Sequence, residues 1–407
     1  MEKEVLDKEQ KRREFITTGN MFKVVLYISL PLILLNAFNF LYGIIDTIVL
    51  AGKGGNVLSS VVMIDQIKNL LSSIGTGLAT GGSIAVSRLI GKQNYAKAKS
   101  VSNTLICVSV AVAVVLVAVI LPLSRVILRL ANFSEELIEI GLGYFIIQII
   151  TVGVGLFNQV FLGLEKSRGS TQNVLYINLI AMTVKILLTL LFVYVFHFDT
   201  MMVAVATLIS TVLISVIAVG FLGNKKYVFR FSIYDTLWKD DITKTLGRLS
   251  FPVFLGKFVF CLGKVIVNAL ARNYGNQAPG ALGVSNQLGG SVTNITGSIE
   301  ESSSVIISQN VAVHNKKRVI DAFWKSFIVN MAISIVGVML LVILNSQIIG
   351  FFSNDDKVYA DLISRIFFWE RLGIIPLAIT ASVTGLIYGL GYTKLGMWLN
   401  LSRLFAF

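Results

Sequence analysis

Charged residues are scarce in this sequence. Only 14% of its 407 residues are Asp, Glu, Lys or Arg, whereas soluble domains carry about a quarter, so the composition argues against an ordinary soluble enzyme. Cysteine and histidine are also rare, with two of each. Cys107 and Cys261 stand far apart inside apolar stretches, which argues against a disulfide framework and a Cys/His metal site. No metal and no cofactor are expected.

Apolar residues make up 55% of the chain and occur in long blocks. The block 101–121 has no charged residue, and the block 174–196 has Lys185 alone. Blocks of about 18 apolar residues or more predict membrane-spanning helices. We predict spans near 24–50, 59–83, 101–123, 141–163, 174–196, 201–222, 249–271, 282–308, 323–345 and 366–388, with an eleventh beginning near Leu395. The expected fold class is an all-α polytopic membrane protein.

The formal net charge of +13 follows from where the basic residues fall. Lys and Arg concentrate in alternate loops and in the N-terminal tail, which by the positive-inside rule places those segments in the cytoplasm. We expect a multi-pass protein of the plasma (inner) membrane with a cytoplasmic N-terminus. Its expected partners are membrane lipid and a small organic substrate, not nucleic acid, and a monomer is expected.

The chain repeats itself at an offset of 221 residues. Ser29-Leu30-Pro31 returns as Ser250-Phe251-Pro252, and the segment 83–94 returns as 304–315. Because six predicted spans separate the copies, both copies enter the membrane from the same side, as parallel repeats do.

This repeat predicts the domain organisation. We expect a cytoplasmic tail, a six-helix lobe, a cytoplasmic linker and a second lobe, with bounds of 1–23, 24–222, 223–248 and 249–407. A full second copy of the first lobe would run past Phe407. The second lobe is therefore expected to be truncated, with about ten or eleven of twelve helices present.

Several motifs occur in an order and spacing that are typical of one transporter family. They are Leu41-Tyr42-Gly43-Ile44-Ile45-Asp46-Thr47, Gly75-Thr76-Gly77, Gly81-Gly82-Ser83, Ser308-Gln309-Asn310 and the segment 385–394. With them, the chain resembles the multidrug and toxic compound extrusion (MATE) family of antiporters over nearly its whole length. The resemblance implies twelve helices in two six-helix lobes, and efflux of organic compounds driven by inward H⁺ or Na⁺.

The resemblance also implies an ion or proton coupling site at Asp46, with Thr207 beside it. Where the matching branch has Asn and Asp, this chain has Lys185 and Thr189. A fixed ammonium repels a cation and one carboxylate ligand is lost, so H⁺ is favoured over Na⁺. Because an isolated buried charge is costly, we expect a direct or water-bridged Asp46–Lys185 contact. Lys185 then either replaces the bound cation of relatives or simply neutralises Asp46.

Polar residues on the predicted second, seventh and eighth spans form the candidate substrate cavity. They are Gln66, Lys257, Lys264, Gln287, Asn294, Glu300 and Glu301. The seven-residue spacing of Gln287, Asn294 and Glu301 keeps them on one helix face, expected between the lobes. At least one of the two glutamates is expected within reach of Lys257 or Lys264, as a register-holding ion pair or as a cavity wall. Glu370 and Arg371 are expected at the outer membrane interface.

The leading functional hypothesis is a cation-coupled exporter that rocks its two lobes. The three intramembrane lysines leave open a lipid-linked oligosaccharide flippase of the same superfamily. The missing aspartate at position 189 leaves open an inactive or sensor relative. Catalysis is not expected, because the sequence shows no nucleophile–base or metal constellation.

Overall fold

The computed structural model describes residues 2–51, 55–131, 133, 135–196, 201–238, 240–271, 274, 278–353 and 357–406. Within these ranges the chain forms fourteen α-helices. They are α1 (Glu2–Thr18), α2 (Met21–Ala51), α3 (Gly55–Gly91), α4 (Tyr95–Ile120), α5 (Ser124–Leu130), α6 (Glu135–Ser167), α7 (Thr171–Leu190), α8 (Met201–Gly223), α9 (Asp240–Ala271), α10 (Ala278–Ala312), α11 (Lys316–Ile343), α12 (Asn345–Ser353), α13 (Lys357–Gly389) and α14 (Thr393–Ala406). A π-helical turn, Leu191–Val195, extends α7, and a 3-10 turn, Ile233–Asp235, precedes α9.

Each of the ten predicted spans falls on one long helix, and α14 begins close to the predicted eleventh. Within the described residues, nine helices are long and apolar enough to cross a membrane: α2, α3, α4, α6, α7, α8, α9, α11 and α13. The prediction of an all-α polytopic membrane protein is confirmed.

Helix α10 is less apolar than those nine, although it is 35 residues long. It packs against α2, α3, α11 and α13, so its polar side chains meet protein on several sides. Backbone and side-chain polar groups are tolerated at membrane depth where protein surrounds them. The low hydropathy of α10 is thus explained by its central position.

The internal repeat is visible in the turns. Asn94 accepts a hydrogen bond from the Lys97 amide at the start of α4, and Asn315 accepts one from the Arg318 amide at the start of α11. The residue before each asparagine has a positive φ, 60° at Gln93 and 57° at His314. Since positive φ is uncommon in residues other than glycine, its recurrence at the 221-residue offset confirms a structural repeat.

A second pair of contacts repeats the same geometry deeper in the fold. The Ser87 hydroxyl donates to the Ser167 carbonyl (3.2 Å), and the Ser308 hydroxyl donates to the Gly389 carbonyl (3.1 Å). The short helices α5 and α12, which the sequence did not predict, also begin 221 residues apart.

The helices pack as two bundles. The first bundle contains α2, α3, α4, α6, α7 and α8, and the second contains α9, α10, α11, α13 and α14. The bundles meet along a seam where α2 lies on α10 and α3 lies on α9. Small residues permit this approach: a Cβ added to Gly77 of α3 would come 2.5 Å from the Cβ of Phe254 in α9.

One end of the molecule carries α1 and the turns α3–α4, α6–α7, α8–α9, α10–α11 and α13–α14, and we call it the basic face. Residues 2–23 of the segment 1–23, expected as a cytoplasmic tail, form helix α1 and the start of α2. Glu9 and Ile16 of α1 are buried against the bundles. Residues 240–248, expected in the linker, already belong to α9, so the described loop between the bundles runs only over 224–238.

Candidate functional site

The candidate coupling site lies where α2 and α7 pack in the first bundle. The ammonium nitrogen of Lys185 sits 3.9 Å from the centroid of the Tyr42 ring, a cation–π contact. Position 46 is one helical turn beyond Tyr42 on α2, and residues four apart share a helix face. Lys185 is therefore directed at the face of α2 that carries Asp46. The Asp46 side chain lies outside the described part of the structure, so the Asp46–Lys185 contact remains a prediction.

The two threonines of this site differ in their surroundings. Thr189 is buried, and its hydroxyl has no hydrogen-bond partner among the described atoms. The Thr207 hydroxyl donates to the Val203 carbonyl within α8 (3.0 Å). A buried hydroxyl without a partner is costly, so the Thr189 hydroxyl is free to donate to a nearby polar group, whereas the Thr207 hydroxyl has already used its proton.

The expected pairing of an eighth-span glutamate with a seventh-span lysine is confirmed. A carboxylate oxygen of Glu300 lies 3.7 Å from the Lys257 ammonium, between α10 and α9. Glu300 is 14% exposed and Lys257 is 37% exposed. The longer N–O distance and the partial exposure mark this as a loose pair, which water screens in part.

Glu301 makes a contact that the sequence did not indicate. Its carboxylate lies 2.6 Å from the ammonium of Lys166 at the end of α6. Because α6 belongs to the first bundle and α10 to the second, this ion pair crosses the seam. The two residues are 135 positions apart and lie in different bundles. No local sequence pattern would therefore reveal this pair.

The seam between α2 and α10 is polar where the sequence predicted it. The Asn36 side-chain amide donates to the Asn294 carbonyl (3.1 Å) and to the Ser298 hydroxyl (2.6 Å). The side-chain nitrogen of Gln287 lies beside Gly43, 3.7 Å from where a Cβ would stand. Gln287 therefore lies beside α2 of the other bundle, whereas Asn294 is exposed and meets α2 through its backbone carbonyl. The cavity role of both residues remains a prediction.

The remaining cavity candidates lie on α3 and α9. Gln66 is half-buried on α3, one residue after Asp65, which pairs with Lys68 at 2.7 Å. Lys264 is exposed on α9, with its ammonium 5.3 Å from the Phe260 ring centroid.

Glu370 contacts α10, and its placement at the outer membrane interface remains a prediction. Its side chain packs against the backbone of α10, with one carboxylate oxygen 2.8 Å from where a Cβ on Gly289 would stand. Only glycine at position 289 leaves room for this approach. Arg371 lies over the Phe367 ring, with its guanidinium carbon 4.8 Å from the centroid.

A buried charge cluster at the basic face was missed. The Arg168 guanidinium contacts Glu9 of α1 at 2.7 Å and Glu165 of α6 at 2.6 Å. It also lies 4.9 Å from the Tyr227 ring centroid, and the Tyr227 hydroxyl donates to Glu165 (2.6 Å). Burial opposes the charge on Arg168, but the carboxylates outweigh it and raise its pKa. Burial, reinforced by Glu165, likewise raises the pKa of Tyr227.

Helix α1 ties the two bundles together at this face. The Arg13 side chain donates to the Gly91 carbonyl of α3 (3.0 Å), and Glu9 contacts Arg168. From the second bundle, Arg318 donates to the backbone carbonyls of Ile16 (3.1 Å) and Gly19 (2.9 Å). The sequence offered one signal for this docking, the apolar Ile16 at the end of a charged segment.

Other contacts close the seam at the basic face. Gln309 of α10 donates to the Ser167 carbonyl of α6 (2.9 Å), and Arg88 of α3 reaches the Gly389 carbonyl of α13 (3.5 Å). Together with Lys166–Glu301, they join the bundles where the turns meet.

The chain matches a family model, and its fold matches solved transporters. The MatE model matches residues 31–191 and 252–406. The chain is 22% identical over 346 residues to the multidrug export protein MepA of Staphylococcus haemolyticus, covering 84% of this chain and 76% of the relative. The MepA of Staphylococcus saprophyticus is 21% identical over 389 residues, covering 94% of this chain and 82% of the relative.

Two solved structures share the fold. A multidrug resistance MATE transporter of the MOP superfamily, in an outward-facing conformation, superposes with a TM-score of 0.91 at 18% identity, covering 97% of this chain and 88% of the other. A MOP superfamily transporter from Pyrococcus furiosus superposes with a TM-score of 0.90 at 18% identity and the same coverage. With both matched segments of the MatE model lying on the two bundles described above, this chain belongs to the MatE family.

Proposed function

We propose that this chain is a secondary active transporter that exports small organic, drug-like compounds in exchange for H⁺. The relatives named as multidrug export proteins support this activity. The observation that carries the coupling proposal is the Lys185 ammonium over Tyr42, on the α2 face that carries Asp46. The proposed location is the plasma membrane, with α1 and the basic face in the cytoplasm, where Lys and Arg are favoured.

The seam gives this proposal a mechanism. The two bundles would act as lobes that rock about the fixed α2–α10 and α3–α9 contacts. In the structure, ion pairs and hydrogen bonds join the bundles at the basic face, the arrangement expected of a transporter that opens to the outside. Opening toward the cytoplasm requires Lys166–Glu301 and the contacts of α1 to separate. Substrate release and H⁺ entry would then alternate with this rearrangement.

The proposed coupling role of Lys185 rests on charge. A cation site needs several oxygen ligands, and an ammonium fixed at this position repels Na⁺. Lys185 would therefore stand in for a bound cation, leaving transport insensitive to Na⁺. Protonation of Asp46 would require Lys185 to move away during the cycle, or an organic cation to displace it.

Replacing Lys185 tests this proposal. In proteoliposomes, Lys185→Asn should create or increase Na⁺-stimulated efflux of a fluorescent organic cation such as ethidium, because it removes the repelling charge. The matched control is Lys316→Asn, which removes one exposed lysine at the start of α11 and should leave the ion dependence unchanged. If Lys185→Asn shows the same Na⁺ response as the unmodified chain, the proposed role of Lys185 is wrong.

A lipid-linked oligosaccharide flippase is the second candidate. The lysines on α7 and α9 favour it, since cations in a cavity suit a phosphate-bearing substrate. Reconstituted protein would then translocate a fluorescent lipid-linked sugar and leave ethidium untransported. An inactive or sensor relative would move neither compound under an imposed pH gradient.

A further inference from the structure

The loop between the bundles is fastened to the side of α4. Lys99 and Asp235 form an ion pair at 2.7 Å, and the Asn103 side chain donates to the Ser232 carbonyl (3.0 Å). One turn away on the loop, the Leu237 amide donates to the Thr104 hydroxyl (3.0 Å). Three contacts within two turns of α4 give this loop a fixed position.

The face of α4 that holds the loop continues into an exposed apolar stripe. Val110 and Val114 lie seven and eleven residues beyond Asn103, so all three share one helix face. Val110 is 46% exposed and Val114 is 63% exposed, and in a membrane-spanning helix such a stripe faces lipid. At 1.5 Å per residue, the loop lies about 10 Å from the first of these valines, which places it at headgroup level when the valines face the acyl chains.

The loop presents large apolar and aromatic side chains to its surroundings. They are Phe231, Ile233, Tyr234 and Trp238, with exposures from 36% to 96%. The contacts that fasten the loop use backbone groups and Asp235, so these four side chains are not needed for that fastening. Trp and Tyr are enriched at membrane–water interfaces, where an amphipathic ring meets both phases.

The same loop carries excess positive charge. Lys225, Lys226 and Arg230 are exposed, and none of the three has an ion-pair partner in the described ranges. An open cavity of about 560 Å³ adjoins Arg230; it is lined by Lys99, Arg230 and residues 231–235. Asp235 neutralises Lys99, so Arg230 supplies the net charge of this cavity.

We propose that this region is a binding site for an anionic phospholipid of the adjacent leaflet. We call it the lipid ledge: Lys225, Lys226 and the segment 230–238, with Lys99 of α4. The lipid phosphate would lie beside Arg230, the rings of Tyr234 and Trp238 at headgroup level, and the acyl chains along Val110 and Val114. The proposal concerns a lipid that stays bound, and it holds whether or not the chain exports drugs.

Quenching of Trp238 fluorescence tests the ledge. The full chain is reconstituted in phosphatidylcholine bilayers that contain a small, equal fraction of either brominated phosphatidylglycerol or brominated phosphatidylcholine. Subtracting the signal of Trp238→Phe isolates this tryptophan from the other three. Phosphatidylglycerol should associate about fivefold more strongly, the ratio expected for one basic residue near an anionic headgroup.

Charge variants decide what causes the preference. Arg230→Gln should abolish it and Arg230→Lys should restore most of it, whereas Arg125→Gln, on the exposed helix α5, should leave it unchanged. Equal quenching by both lipids, or none, would overturn the proposal. So would competition by millimolar inorganic phosphate, which would show a free-anion site. Thermal unfolding of each variant separates a lost site from a lost fold.

Discussion

The two copies of the repeat share a backbone frame and differ in their charges. Asn94 and Asn315 cap equivalent helices, and Ser87 and Ser308 make equivalent hydrogen bonds. The charged residues do not follow this symmetry. Arg168 precedes the positive-φ glycine after α6, whereas Leu390 precedes its counterpart after α13. The turns and helix caps are thus common to both bundles. The function must therefore depend on charged residues that only one of the two bundles carries.

At two other equivalent positions the charged residue belongs to the second copy instead. Lys257, which pairs with Glu300, occupies the position of Asn36 in the first copy, and Asn36 bonds across the seam instead. Glu301 occupies the position of Thr80, and its carboxylate reaches Lys166 in the other bundle. The second copy therefore contributes ionic contacts at points where the first contributes neutral polar groups.

The largest expected loss of stability comes from replacing Arg168 with leucine, the residue at the equivalent position 390 of the second copy. Arg168→Leu leaves Glu165 buried without its cation and leaves Glu9 with Arg12 alone, at 2.8 Å. Breaking a buried pair on one side costs about 3–5 kcal/mol. Denaturant unfolding of the purified chain measures this loss. The control is Arg129→Leu, which removes an exposed pair with Glu135 and should cost about 1 kcal/mol or less. Equal losses in the two variants would show that the buried cluster has no special importance.

A smaller effect is expected from making position 301 match the first copy. Glu301→Thr removes the Lys166 contact across the seam, a partly exposed pair worth up to about 1 kcal/mol. The state open at the basic face should gain up to about fivefold in population. Spin labels at positions 97 and 316, one on each bundle in a cysteine-free background, report this as a larger share of long distances. Glu135→Thr should leave the distances unchanged; an unchanged distribution in Glu301→Thr would refute a gating role for this pair.

The smallest effect is expected at the surface, where water screens charge. A hydrogen bond from Lys99 and its positive charge lower the pKa of Asp235 from its ordinary value of 3.8. A carboxyl with a lowered pKa stabilises the fold above its ordinary pKa, and this contribution is lost as the pH falls below it. Trp238 emission should therefore change as the pH falls below 3.8, and Asp235→Asn should remove that change. A transition that persists in Asp235→Asn would assign it to another group.

The sequence predicted the helices and the repeat better than it predicted the contacts of the candidate site. In the described ranges, length and apolarity located the ten longest helices of the two bundles, and the 221-residue repeat is present in the turns. The Glu300–Lys257 contact was also predictable, because both residues lie on neighbouring helices of one bundle. Contacts between bundles, such as Lys166–Glu301, depend on how the bundles pack and leave no periodic signal. The sequence did not predict that helix α1 packs against the bundles, because a charged segment with one buried isoleucine resembles a solvated tail.

In the proposed mechanism, Lys185 of the first bundle determines which ion is coupled to transport. The direct measurement is efflux of a fluorescent organic cation by the unmodified chain in proteoliposomes, with H⁺ and Na⁺ gradients imposed separately at zero membrane potential. We expect that an inward H⁺ gradient accelerates efflux and that an inward Na⁺ gradient alone has no effect. Efflux driven by the Na⁺ gradient, with the pH equal on both sides, would contradict it.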